Sequence, residues 1–348
     1  MKIKSYRREY TVTFSENTDF IEPLILGDNT YVIADENIIK LYPEIHKTVL
    51  KQHHTIIQAT EENKTLETAE HIIDELIGMD SRKKTNLVAL GGGIIQDLTC
   101  FIASTIYRGI NWTLVPTTLL AQTDSCIGSK SSINYKQYKN IIGTFYPPTE
   151  IIICPLFLKS LTNRDYYSGL GEIAKIQLMI SPENFFNFSK DLEKILKHDY
   201  SKTIEYMEST LSFKKNLIEL DEFDTGIRNT LNFGHTFGHA IETTTNYYVP
   251  HGQAVSIGIL IANKISVMNN LISSEYEQTV RVTLYRIISE EYKNGSIFNI
   301  DKIIRSMKMD KKYTGTHNCI LLTEDGAKMF NNIPEKDIIQ AMESVFEF

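Results

Sequence analysis

Three histidines hold the densest potential chemistry in the chain. His235 and His239 stand four apart in RNTLNFGHTFGHAIE, and His251 follows twelve residues later in HGQAV. On a helix an i, i+4 pair projects from one face, so two imidazoles emerge together. Three neutral imidazoles, or two with a carboxylate, suit zinc. Thr236 occupies the place of the glutamate in the HExxH of zinc peptidases, which argues against hydrolysis by that route. Only nine histidines occur in the chain, and three of them fall within seventeen residues beside glycines, a density that favours a metal centre over isolated structural histidines. The missing ligand is expected to be acidic. Glu172 and Lys175 in GLGEIAK share a helical face one turn apart, either at this site or as an exposed intrahelical ion pair. Arg228 and Asn232 join the face of His235 if one helix runs through all three; a surface charge is the competing reading for Arg228 and for Lys214.

A second chemical signal is NLVALGGGIIQDL, a buried-looking strand, three glycines (Gly91, Gly92, Gly93) and a helical pattern. Small residues let backbone N–H groups approach an anion, and the helix end adds partial positive charge. Gln96 replaces the last glycine of GxGxxG, so a plain βα connection is the competing reading. Further on, NWTLVPTTLLAQTDSCIGSKSSINYKQYKNIIGTFYPP is dense in hydroxyls, with Lys130, Lys136 and Lys139 interleaved. It is either a solvated loop or a pocket whose polar groups converge on an anion; Lys130 and Asn140 suit a phosphate or a sugar hydroxyl.

The elements that must position these residues fall into two textures. Short β-like runs at Thr30 to Ala34, Thr55 to Gln58 and Asn86 to Leu90, with a helix at Leu66 to Ile77, predict parallel βαβ units. After Pro155 helical spacing dominates, at Tyr166 to Ile180, Phe185 to Leu196, Ile204 to Leu220 and Ala254 to Met268. The expected organisation is an α/β domain over 1–155 and a mainly α-helical domain over 156–348, with a ligand cleft at their interface. At 348 residues the chain is long enough for two cores. A net charge of −7 disfavours a nucleic-acid surface. Four scattered cysteines without a CxxC pair predict reduced thiols, and the absence of a signal core or a long apolar run predicts a cytoplasmic protein with no membrane partner.

Taken together, GGGIIQD, YRGI, VPTTLLAQTDSCIGSK, KNIIGTFYPP, GLGEIAK, LNFGHTFGHAIE and HGQAV resemble, in order and spacing, the 3-dehydroquinate synthases of the sugar-phosphate cyclase superfamily. The resemblance implies a Rossmann-like NAD domain followed by a helical metal domain, an active site between them and a homodimer. It makes Glu172, His235 and His251 the ligands of a divalent cation, zinc or cobalt, and His239 a catalytic histidine near the phosphate. Gly92, Gly93, Asp97, Thr117, Thr118, Asp124 and Lys139 match NAD-contacting positions, with Glu61 and Lys64 more loosely placed. Arg108, Lys130, Asn140, Lys175, Lys214, Arg228 and Asn232 match substrate-contacting positions, joined by Lys311 or Lys312.

The implied substrate is a phosphorylated sugar acid, 3-deoxy-D-arabino-heptulosonate 7-phosphate. The implied reaction is transient oxidation by NAD, β-elimination of phosphate, return of the hydride, ring opening and intramolecular aldol closure. Ser129, Ser131, Ser132, Gln96 and Gly171 depart from the commoner family residues. A cyclase of secondary metabolism acting on sedoheptulose 7-phosphate or glucose 6-phosphate is the alternative. Those substrates lack a carboxylate, whereas Lys214, Arg228 and Asn232 supply the means to bind one. More remote are a metal-dependent alcohol or glycerol-phosphate dehydrogenase, which would accumulate NADH, and a silent NAD-binding homologue.

Overall fold

Buried β-branched runs and amphipathic helices alternate through the first part of the chain, and they assemble into a parallel sheet. The structure, a computed structural model, describes residues 1–79, 82–136, 138–309, 313 and 315–347. It divides into two units, Met1–Leu161 with Lys215–Phe223, and Thr162–Lys214 with Asp224–Phe348. The strands of the first unit are β1 (Lys2–Ile3), β2 (Tyr10–Phe14), β3 (Thr30–Asp35), β4 (His53–Ile57), β5 (Asn86–Gly91), β6 (Asn111–Pro116), β7 (Ile133–Tyr135), β8 (Tyr138–Ile142) and β9 (Glu150–Ile153). Seven of them form a sheet ordered β1-β2-β9-β6-β5-β3-β4, parallel except for the β1–β2 edge. Its middle strands are buried along their length, as strands covered on both faces must be.

The helices of this unit are α1 (Ile21–Ile25), α2 (Glu36–Leu41), α3 (Pro43–Val49), α4 (Leu66–Ile77) and α5 (Gly93–Thr105). Helix α4 shows how sequence sets an element: the Thr65 hydroxyl accepts from Thr68 N–H at 3.2 Å, and Ala69, Ile72 and Leu76 make the buried stripe. The hydroxyl-rich stretch after β6 is not an open loop. It forms a π-type turn at Ala121–Ser125 and the antiparallel pair β7–β8.

The second unit contains α6 (Asn163–Ile180), α7 (Pro182–Leu196), most of α8 (Tyr200–Leu220), α9 (His235–Thr244), α10 (His251–Met268), α11 (Ser274–Ile287), α12 (Ile300–Met309) and α13 (Glu335–Phe346). Thr162, Ser181 and Ser273 cap α6, α7 and α11 through their hydroxyls. Helix α10 is buried almost all round, as befits the central helix of a bundle. The hairpin of β10 (His317–Thr323) and β11 (Gly326–Ile333) is an addition to the helical pattern expected from sequence. No described helix is long and apolar enough to cross a membrane.

Candidate metal and cofactor sites

Glycine contacts bring the metal-type residues of the second unit together. Gly171 precedes Glu172 on α6, and Gly252 follows His251 at the start of α10. A Cβ on Gly171 would lie 2.1 Å from Gly252 O, and one on Gly252 would lie 1.7 Å from Ser168 O. The two backbones therefore approach more closely than any side chain allows, and Glu172 meets His251.

Arg228, Asn232 and His235 do not lie on one continuous helix. A 3-10 turn covers Ile227–Asn232, and Gly234 at φ +78° precedes α9, which starts at His235. A Cβ on Gly234 would lie 2.7 Å from Ile259 Cγ1, so packing against α10 ends the turn and re-aims the chain.

Glu172, His235 and His251 each offer one ligand atom within 4.8 Å of the others. Glu172 Oε1 is fully buried without a hydrogen-bond partner among the described residues, while His251 Nε2 lies 3.4 Å and His235 Nε2 3.7 Å away. Ligands of a tetrahedral zinc at about 2.05 Å are about 3.3 Å apart, so these three atoms fit a common cation. The far nitrogens are held: His235 Nδ1 lies 3.2 Å from Phe233 O and His251 Nδ1 3.1 Å from Glu242 Oε2. An Nδ1–H donated to such an acceptor leaves Nε2 as the metal-facing lone pair. Glu242 was not singled out from sequence, although its place two turns after His235 on α9 was a usable signal.

Electrostatics fit the same reading. Burial is the largest single influence and opposes the charge on Glu172, but the Lys175 ammonium and the two histidines together outweigh it and hold the carboxyl well below the usual range. Lys175 Nζ donates to Glu172 Oε2. Burial and then the Lys175 charge push His235 well below its ordinary value. Burial also opposes a charge on His251, yet the Glu242 and Glu172 carboxylates raise it well above the ordinary imidazole value. The proton on His251 stands in for part of the charge that a cation would bring.

His239 is exposed, its ring centroid 5.2 Å from that of His235 and 5.9 Å from that of His251. A cavity gathers Asn232, His235 and His239 on one side and His317 and Asn318 of β10 on another; the hairpin residues were not anticipated. Lys175, Lys214 and Arg228 are buried but do not line it. Lys311 and Lys312 lie outside the described residues.

In the first unit β5 runs into the glycine turn, and Gly92 sits at the N-cap of α5 without a side-chain cap. A Cβ on Gly92 would lie 2.9 Å from Thr118 Cγ2, whereas one on Gly93 would meet nothing closer than Ser125 Oγ at 3.9 Å. The buried Thr117 hydroxyl has no partner among the described residues. Uncapped N–H groups, a turn closed to side chains and an unpartnered hydroxyl fit a bound pyrophosphate. Gln96 acts locally, its amide donating to Ser125 O at 2.6 Å and accepting from Ser125 Oγ at 2.8 Å. These two bonds fix the turn that carries Asp124 to α5.

Glu61, Lys64, Asp97, Lys139 and Asn140 form one polar knot. Lys64 Nζ reaches Asn140 Oδ1 at 2.7 Å, Asp97 Oδ2 at 3.0 Å and Ser132 Oγ at 3.3 Å. Lys139 and Lys64 lie 3.4 and 3.6 Å from Glu61 Oε1. Ser132 Oγ is 2.8 Å from both Asp97 and Asn140, so this serine sits at the centre of the knot. Burial raises Asp97 although Lys64 opposes the shift. The structure thus places Asn140, expected beside substrate, among residues expected beside NAD. Lys130 is exposed over the Phe145 ring, and Arg108 is exposed at φ +64°.

The sequence profile described as 3-dehydroquinate synthase N-terminal matches residues 54–168, and that described as 3-dehydroquinate synthase C-terminal matches residues 169–313. The 3-dehydroquinate synthase of Alkaliphilus oremlandii is 34% identical over 342 residues, covering 95% of this chain and 92% of its own. That of Clostridium tetani is 33% identical over 323 residues, covering 90% and 84%. Among solved structures, the 2-epi-5-epi-valiolone synthase of Streptomyces hygroscopicus with NAD+ and Zn2+ bound superposes with a TM-score of 0.85 at 21% identity, covering 99% of this chain and 98% of that one. At that identity the likeness is one of fold.

Proposed function

The chain belongs to the 3-dehydroquinate synthase family, and from that premise we propose that it is a phosphate-eliminating lyase converting 3-deoxy-D-arabino-heptulosonate 7-phosphate to 3-dehydroquinate and phosphate. We assign NAD binding and the phosphate contacts of the substrate to residues 1–155, and cation binding and the remaining substrate contacts to 156–348, in a cytoplasmic homodimer. The observation that carries the reading is the meeting of Glu172 Oε1 with two imidazole Nε2 atoms, each imidazole anchored through its other nitrogen.

When bound, NAD takes up and returns a hydride and a divalent cation supplies Lewis acidity. Glu172, His235 and His251 hold the cation, and Lys175 keeps Glu172 ionised. The glycine turn and Thr117 receive the pyrophosphate, while Asp97, Asp124 and Lys139 orient the rest of the dinucleotide. Lys130 and Arg108 bind the phosphorylated end of the substrate, Asn140 holds Lys64 within the cofactor-side knot, and His239 holds or moves a proton of the substrate. Lys214, Arg228 and Asn232 read the carboxylate, which separates this reading from a cyclase acting on sedoheptulose 7-phosphate.

The test is to supply protein loaded with NAD and zinc, or cobalt, with each of the two sugar phosphates and to follow phosphate release, product identity and NADH. Phosphate release from the heptulosonate phosphate with no NADH accumulation is expected. Turnover of sedoheptulose 7-phosphate alone overturns the substrate assignment, and stoichiometric NADH overturns the cyclase. Arg228→Lys should lower kcat/KM for the acid substrate by about ten- to a hundredfold, because lysine loses the two-pronged grip on a carboxylate.

A further inference from the structure

The turn that carries Lys130 is held by a carboxylate distant in sequence. Ser129 has φ +64°, in the left-handed region that glycine enters freely and other residues do not. It is buried, with its carbonyl accepting from Tyr146 N–H at 2.6 Å and its hydroxyl donating to Glu222 Oε1 at 3.1 Å. The same carboxylate accepts from Ser5 Oγ and from Tyr6 N–H, both at 2.6 Å. All these residues belong to one unit, since Lys215–Phe223 groups with Met1–Leu161. Lys130 itself bridges to Phe145 through the backbone, and its Nζ lies 6.0 Å from that ring. The Phe145 ring in turn stands edge-on to Phe223, with centroids 5.2 Å apart. Glu222 and Phe223 thus bear on both neighbours that fix the lysine.

We propose that Glu222 is a positioning residue for the Lys130 ammonium: its carboxylate holds Ser129 in the left-handed conformation and so sets the direction in which Lys130 meets the substrate phosphate. The inference rests on the reading of Lys130 as a phosphate contact. A glycine here would adopt the same backbone freely, whereas serine adopts it against its preference, tethered by Glu222 through its hydroxyl and by Tyr146 N–H through its carbonyl.

The test compares Glu222→Gln, Ser129→Gly, their combination and Lys130→Ala in the holoenzyme. The readouts are kcat, KM for the heptulosonate phosphate, the inhibition constant of inorganic phosphate, NAD affinity and thermal stability. An amide leaves one acceptor oxygen for three donors, so Glu222→Gln should raise KM and the phosphate constant about tenfold, the weight of a left-handed residue released from its tether. NAD affinity and kcat should stay within about twofold. Adding Ser129→Gly should bring KM and the phosphate constant back to within about threefold of the parent, because glycine reaches φ +64° without help.

A double variant as impaired as Glu222→Gln overturns the proposal and leaves Glu222 as an anchor for residues 215–223. So does a Glu222→Gln enzyme with unchanged constants while Lys130→Ala is impaired. Unchanged constants in Lys130→Ala instead remove the phosphate reading beneath it.

Discussion

Around Lys64 an ammonium faces Asp97, Asn140 and Ser132, all within 3.3 Å, whereas around Glu172 a buried carboxylate oxygen faces two imidazole nitrogens without a hydrogen bond. The first cluster is complete as it stands, with donors matched to acceptors. The second leaves one Glu172 oxygen without a hydrogen bond and stays tolerable because Lys175 neutralises the other oxygen and the neighbouring carboxylates favour a proton on His251. Unpaired buried acceptors cost free energy, so a cluster of them marks where an ion belongs. A satisfied knot marks where a ligand is positioned by a rigid frame.

The largest expected effect breaks the second cluster. Glu172→Ala should abolish retention of zinc through dialysis, read by metal analysis. It should also destabilise the metal-free protein by about 3–5 kcal/mol in urea unfolding, since it strands Lys175 as an uncompensated buried charge. A variant that unfolds like the parent would mean that the Glu172–Lys175 pair does not hold this region.

Glu242→Gln sharpens the contrast. The amide still reaches His251 Nδ1 but loses its charge, so zinc affinity should fall by about ten- to a hundredfold in chelator competition. Unchanged affinity would deny Glu242 its anchoring role.

In the first cluster Lys64→Met should cost less, about 1–3 kcal/mol, because Asp97 keeps Ser132 N–H at 3.1 Å and the Ser132 hydroxyl. A loss as large as that of Glu172→Ala would erase the distinction between the clusters.

The smallest effect is with pH. Glu172 stays ionised far into acid and His251 is held protonated above its ordinary value, so the cation competes with the His251 proton. Zinc affinity should rise up to about tenfold per pH unit until His251 has lost its proton, with close to one proton released per ion in calorimetry. The metal-free protein should behave oppositely. The raised pKa contributes stability that is full below the ordinary imidazole value and is lost as pH rises through the folded-state value. Zinc affinity flat across this range would place the cation elsewhere.

Much of this molecule was legible without a fold. Helix α4 falls on the residues its spacing marks out, and β3 and β5 on their apolar runs, because period and capping are local properties that a window of a dozen residues contains. The same locality explains His235 and His239 on one helix face. It does not reach across Gly234, where contact with α10 ended what local spacing could have continued as helix. The hairpin β10–β11 was equally hidden, its outer strand being too exposed to show an apolar rhythm.

What only the tertiary structure decided are the meetings across long separations: Glu172 with His251, Ser129 with Glu222, Lys64 with Asn140. Residue type states what chemistry each partner can do. Their distance is set by how closely backbones pack, and at Gly171 and Gly252 it turns on two absent Cβ atoms, which spacing along the chain cannot report.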